Sequence, residues 1–138
     1  MVNPQIDMEA YLKVAHEAAP TLGVEPRIGF DGPLESAVPE PIRPDLLATL
    51  REALSNVARH AQADTVSVEV RVDSSGERLT LVVDDDGVGL PAGQSRRSGL
   101  ANLTERANRW NGTLVIDDRP DGGTSLLWTV PLRPETGN

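Results

Sequence analysis

The 138-residue chain has no cysteine. That absence removes disulfides, thiolate metal sites and cysteine nucleophiles together, and it fits a reducing, cytoplasmic setting. Lysine is almost missing as well: Lys13 is the single one among 13 basic residues. A P-loop needs its lysine inside a G-K-[ST] element, and the protein-kinase signature set needs one on a strand; neither is present. Any handling of ATP must therefore use a site that does not depend on lysine. No apolar run approaches the roughly 18 residues of a membrane span. The first residues lack the basic-then-apolar order of a secretory leader, so no signal peptide and no direct membrane contact are expected. Positive charge is also scarce, with 13 basic against 21 acidic residues and a formal net charge of −8. A chain of that sign is a poor match for phosphate backbones, so nucleic acid is not an expected partner.

What is present reads as one globular domain over residues 1–138, with a frayed tail after Pro131. Met8, Tyr11, Leu12, Ala15 and Ala18 recur at helical spacing and predict a helix over Met8–Ala19, closed by Pro20 and Gly23. A short strand is expected at Arg27–Phe30. Asp31–Pro44 carries four prolines and one glycine and reads as a loop. Leu46, Leu47, Leu50, Leu54 and Val57 predict the strongest helix, Leu46–Ala61, with Asp45 as its N-cap. Alternating valines and leucines predict a hairpin, Val66–Val72 and Leu79–Val83, with one buried face. Asp84–Ser98 is polar and glycine-rich. A third helix is expected from Gly99 to Trp110, stopped by Asn111-Gly112. Two last strands, Thr113–Asp117 and Ser125–Val130, flank a turn. Amphipathic helices with half-buried strands predict an α+β, two-layer sandwich: a mixed sheet of about five strands with about three helices on one face.

Three segments carry chemistry. On the long helix, Glu52 and Asn56 are neighbours on one surface, continued by Arg59 and His60. This is either a solvated helix face or a divalent-metal site with phosphate contacts. An amide oxygen suits Mg²⁺, a nearby carboxylate can orient or deprotonate an attacking group, and Arg59 and His60 can meet phosphate oxygens. The second segment is Val83-Asp-Asp-Asp86-Gly-Val-Gly89. It is either a turn or a base reader, in which a strand-end carboxylate accepts from an exocyclic amine while Gly87 and Gly89 let the backbone approach a flat ring. Three adjacent carboxylates give a mere turn no benefit. In the third, Ser98-Gly99-Leu100-Ala-Asn102, the glycine either follows an ordinary Ser98 cap or leaves helix-start amides open to an anion.

Together these residues resemble the GHKL (Bergerat-fold) ATPases. Glu52-x-x-x-Asn56-x-x-Arg59-His60 is similar to the N box and Asp85-x-Gly87-x-Gly89 to the first glycine box. Gly99-Leu100 stands where the second falls, and Gly123-Thr124 resembles the late Gly-Thr element. Gly99-Leu-x-Asn-Leu-x-Glu-Arg-Ala107 with Asn111-Gly112 further resembles the NarL-partnered sensor histidine kinases, the NarX/DesK type. The Leu-Leu-Trp-Thr-Val-Pro ending is similar to the DevS/DosT group. The resemblance implies a catalytic domain of a longer kinase, binding ATP and Mg²⁺. In it Asn56 would coordinate the metal and Asp85 the adenine amine. Gly87 and Gly89 would shape the base pocket. Gly99, Leu100 and Asn102 would lie at the phosphates with Arg59 and His60, and Thr124 beside the nucleotide. Glu52 would assist transfer. A short lid, Leu90–Ser98, would offer Arg96 and Arg97, and it lacks the phenylalanine many such kinases carry, since Phe30 is the only one.

The implied partners are the dimerisation and histidine-phosphotransfer domain of the same kinase and, downstream, a response regulator of NarL type. His16-Glu17 looks superficially like an acceptor box. Its helix ends too soon for an acceptor hairpin, so His16 is read as a surface residue, and the fragment alone is not expected to autophosphorylate. Two other readings share the fold: a stand-alone anti-sigma-type serine kinase, and a nucleotide-binding module that transfers nothing.

Overall fold

The computed structural model describes residues 8–60, 62–87, 94–120 and 122–132, and of residues 35, 36, 60 and 94–99 the backbone alone. Gly89 and the tail from residue 133 lie outside the described residues. In chain order the elements are α1 (Met8–Leu22), β1 (Arg27–Asp31), α2 (Leu34–Ala37), α3 (Arg43–His60), β2 (Val66–Val72), β3 (Arg78–Asp85), α4 (Gln94–Arg109), β4 (Thr113–Asp118) and β5 (Thr124–Pro131). A 3₁₀ turn at Glu40–Ile42 leads into α3.

The strands form one sheet in the order β1-β2-β3-β5-β4. β1 runs parallel to β2 and the other pairs are antiparallel, so the sheet is mixed. Period-2 alternation sends Val66, Val68, Val70 and Val72 to one face with Leu79, Leu81 and Val83, and with Leu126, Trp128 and Val130 of β5. The helices cover that face. Leu46, Leu50, Ala53 and Leu54 of α3 are buried against it, and Leu103 and Ala107 of α4 complete the core. Trp128 is fully buried, and its Nε1 donates to the Leu103 carbonyl oxygen at 3.3 Å, which keys α4 onto β5. The opposite face stays open, with Val115 and Leu127 paired across β4 and β5 and exposed.

The expected element order and layering hold, and several boundaries move for local reasons. Helix α1 runs through Pro20 to Leu22, because a proline in the last turn frees only a carbonyl on the exposed His16 side; Gly23, at φ +79°, then closes the helix through Gly23 N to Ala19 O at 2.8 Å. The predicted loop Asp31–Pro44 holds α2 and the 3₁₀ turn, and α3 starts at Arg43 with Pro44 in its first turn, where no N–H is needed. Asp45 is therefore not an N-cap. It lies inside the first turn, and its carboxylate accepts from Arg109 Nη1 at 2.9 and 2.8 Å and from Trp110 Nε1 at 2.6 Å.

The largest shift is in α4, which begins at Gln94, not Gly99. Its end is as expected. Asn111 takes φ +62° and Gly112 N donates to Ala107 O at 2.7 Å, a Schellman-type stop.

Candidate functional site

The site is built where four element ends meet. The Asp45 staple joins the first turn of α3 to the last residues of α4, so the two helices are antiparallel. The first turns of α4 consequently lie beside the last turns of α3. At 100° per residue Asp45, Thr49, Glu52 and Asn56 fall within about 60° of one another, on the side of α3 that Asp45 shows to face α4. Thr49 on this stripe is fully buried, its hydroxyl turned back to the Asp45 carbonyl at 2.7 Å. Glu52 and Asn56 are half-buried, so they sit on the shoulder of the buried face and are not a fully solvated helix face. Arg59 is the exposed member. Its Nη2 donates to Asn56 Oδ1 at 2.7 Å and lies 3.6 Å from Glu52 Oε2, while Nη1 donates to Ser55 Oγ at 2.9 Å. The structure thus joins Glu52, Asn56 and Arg59 in direct contact. His60 closes α3, and its side chain is not among those described.

Asp85 ends β3. By strand parity it follows Leu79, Leu81 and Val83 onto the helix-covered face, and it is 3% exposed. A carboxylate in that position needs donors. The Gly87 N–H reaches its Oδ1 at 2.9 Å, and the Thr124 backbone contributes a second hydrogen bond. Burial nevertheless dominates: desolvation pushes the Asp85 carboxyl above its ordinary value, with the neighbouring Asp86 charge adding to it, against the lowering by Gly87, Thr124 and Arg119. Thr124 is the cross-strand partner of Asp85 on the same face and is likewise buried.

Asp86 points the other way and ties β3 to the segment after α3. Its Oδ1 accepts from the Asp64 and Thr65 amides, both at 2.8 Å. These bonds, led by the Thr65 backbone amide, hold its carboxyl below the ordinary value. They also place the carboxyl end of β3 at the carboxyl end of α3. Asp85, Thr124, the Asn56 stripe and the beginning of α4 therefore occupy one end of the two-layer structure.

The turn from β4 to β5 completes that end. Gly123 has φ +96°, and a Cβ there would overlap the Asp85 carbonyl oxygen and lie 2.7 Å from the Asp86 Cα. Arg119 Nη1 donates to the same Asp85 carbonyl at 3.0 Å. The late Gly-Thr element is thus a glycine seated on the backbone of Asp85, followed by the threonine opposite it.

A model of the family described as "Histidine kinase-, DNA gyrase B-, and HSP90-like ATPase" matches residues 42–134 of this chain. The chain belongs to this family. It is similar to the signal transduction histidine-protein kinase/phosphatase DegS of Brevibacillus brevis, with 31% identity covering 70% of the chain and 25% of DegS. It is also similar to the nitrate/nitrite sensor protein NarX of Escherichia coli (strain K12), with 34% identity covering 75% of the chain and 18% of NarX. The chain spans a quarter or less of the length of both. Among solved structures, the ATP binding domain of PrrB from Mycobacterium tuberculosis superposes with a TM-score of 0.64 at 23% identity, covering 91% of this chain and 93% of that domain. The fold is that of histidine kinase ATPase domains.

Within this ATPase-family chain the other expected residues are placed as follows. Gly87 is half-buried and donates to Asp85. Leu100 is half-buried against the core, and Asn102 is exposed on α4. Gly99 lies in the second turn of α4, so its amide is not one of the free helix-start donors. Because α4 begins at Gln94, Gly99 is not at an open helix terminus and Ser98 is not a cap. Of the expected lid, residues 94–98 belong to α4, residues 90–93 lie outside the described residues, and the side chains of Arg96 and Arg97 are not described. His16 is exposed and meets Glu25 at 3.2 Å on the surface. Sequence reasoning missed Arg119, Asp86 and Asp45. Asp86 was visible as part of the acidic triplet, but its use as a strap depended on knowing that β3 ends beside residue 65. Arg119 and Asp45 act across 34 and 64 residues respectively, a range no local pattern reaches.

Proposed function

We propose that this chain binds Mg·ATP at the end of the sandwich marked by Asp85 and Asn56, and that within a longer kinase it donates the γ-phosphoryl group to a histidine on a separate dimerisation domain. The observation that carries this reading is Asp85. It is a buried carboxylate on the helix-facing side of a strand end, with backbone donors from Gly87 and Thr124 and a glycine turn packed against its backbone. Each carboxylate oxygen has more than one lone pair, so the group is suited to accept a further hydrogen bond from the exocyclic amine of adenine. Family membership and the similarity to DegS and NarX support the kinase assignment over a stand-alone serine kinase.

The residues fit a divalent ion. Asn56 Oδ1 and the Glu52 carboxylate are oxygen donors on adjacent turns, and a positive group, the Arg59 guanidinium, already bridges them. Asn56 would hold Mg²⁺, which supplies charge neutralisation of the phosphates in an in-line transfer. Asp85 selects and orients the base. Arg59 would meet phosphate oxygens, as the N-box resemblance also implies for His60, and Glu52 would orient the attacking group or take its proton. Gly87 would leave room for the ring, a role the glycine-box resemblance also implies for Gly89, and Thr124 would line the base site beside Asp85. Leu100 and Asn102 approach the nucleotide from α4. The acceptor histidine and a NarL-type response regulator lie on other domains and proteins, in a cytoplasmic setting.

Calorimetric titration with ATP, with and without Mg²⁺, tests the proposal on the parent and on Asp85→Asn. Replacing the charged acceptor is expected to lower affinity roughly 10- to 100-fold, since a hydrogen bond to a charged group contributes about 1.5–3 kcal/mol. Equal affinity in the two proteins would remove Asp85 from the base site. Supplying the dimerisation domain of the native kinase should restore histidine phosphorylation.

A further inference from the structure

The contacts of Arg59 are of a particular kind. One guanidinium spans an amide oxygen, a hydroxyl and a carboxylate, those of Asn56, Ser55 and Glu52, at 2.7, 2.9 and 3.6 Å. These are hard oxygen donors, the set a divalent ion takes. Arg59 stands in the last turn of α3, where the helix dipole favours positive charge. A divalent ion on Asn56 Oδ1 would stand about 2.1 Å from that oxygen, within a few ångströms of a guanidinium nitrogen now 2.7 Å from it. Two positive groups do not share that space without strong repulsion.

We propose that Arg59 is a cationic placeholder. In the nucleotide-free protein its guanidinium holds the Asn56 oxygen that the metal would take, with the Glu52 carboxylate 3.6 Å away. It releases that oxygen when nucleotide phosphates arrive to receive its guanidinium. The exchange keeps a positive group on the Asn56 oxygen in both states and makes metal entry dependent on phosphate. It rests on the Mg·ATP reading of this end of the molecule.

The test uses Mn²⁺ alone as probe, titrated into nucleotide-free protein labelled with ¹⁵N, and follows paramagnetic broadening of the Asn56 side-chain amide. In Arg59→Met the Mn²⁺ midpoint is expected to fall about two- to five-fold, the scale of an exposed ion pair. Arg51→Met removes the same charge from an exposed position of α3 and is expected to leave the midpoint unchanged. In the same Arg59→Met protein, affinity for Mg·ADP falls, because a phosphate contact is lost. A purely structural arginine would not produce these opposite signs. An Arg59→Met midpoint that stays level or rises overturns the proposal, as does an equal drop in Arg51→Met. If the parent itself fails to bind Mg·ADP, the functional reading falls; if it binds and the midpoint does not drop, only the placeholder is refuted.

Discussion

Gly122 and Gly123 offer a matched pair of substitutions that isolates one contact. Both have strongly positive φ, +100° and +96°, so alanine is strained at either position by a similar amount, about 1–2 kcal/mol. The gain from restricting the unfolded chain is also common to the two and cancels. They differ in surroundings. A Cβ on Gly122 meets nothing within 4 Å, whereas one on Gly123 overlaps the Asp85 carbonyl and crowds the Asp86 Cα at 2.7 Å. These obstacles are backbone atoms, which cannot rotate away. The carbonyl also receives Arg119 Nη1 at 3.0 Å, and that bond must move with it. Gly123→Ala is therefore expected to destabilise by about 1–3 kcal/mol more than Gly122→Ala, the scale of overpacking. The displaced strand end carries Asp85, so Gly123→Ala should weaken ATP binding about ten-fold, some 1.4 kcal/mol, while Gly122→Ala binds like the parent. Urea unfolding and ATP calorimetry on both variants give the answer. Equal stability losses together with parent-like binding in Gly123→Ala would refute the claim that this glycine positions Asp85.

Other expectations follow from the carboxylates. Asp45→Ala leaves Arg109 and Trp110 Nε1 without their acceptor and should cost about 2–4 kcal/mol in chemical denaturation, with recovery in Asp45→Asn incomplete. The Asp86 carboxyl is held below its ordinary value of 3.8 by the Thr65 and Asp64 amides. Its contribution is complete above that value and is lost as pH falls through the lower folded value, so the stability gap between parent and Asp86→Asn should close below about pH 3.8 in urea melts. Asp85 has the opposite sign: its value is raised by burial, so its charge costs stability at neutral pH and the cost disappears on acidification. Asp85→Asn should therefore melt at a higher temperature than the parent in the absence of nucleotide, although it binds ATP more weakly. A lower melting temperature would show that the lost hydrogen bonds outweigh the desolvation.

The parts of the fold that repeat locally were legible in the sequence. The valine ladder of β2, the Leu46–Val57 stripe of α3 and the Asn111-Gly112 stop each depend on residues within one element. Glu52 and Asn56 were legible as neighbours because helical spacing fixes that, although not their place on the shoulder of the buried face, and Asp85 was legible only as a carboxylate after a strand, since its parity needed β3 to run on to residue 85. The start of α4 was not: Gln94–Ser98 is polar, has no apolar period and resembles the loop before it, so nothing local distinguishes its first turns. The role of Asp45 was misread for a related reason. An aspartate just before a leucine run is a good cap in isolation, and only the arrival of Arg109 and Trp110 from the far end of another helix redirects it.

That redirection separates two tasks along the same pair of helices. One end is riveted by a charged fork and an indole; the other carries the candidate site. Because α3 and α4 are stiff rods fixed at a common point, a small tilt at residues 45, 109 and 110 becomes a larger displacement some 15 Å away, at about 1.5 Å of rise per residue over ten residues. Sequence change at that remote rivet is thus a means of adjusting how wide the end carrying Asp85 and Asn56 opens, without altering any residue there.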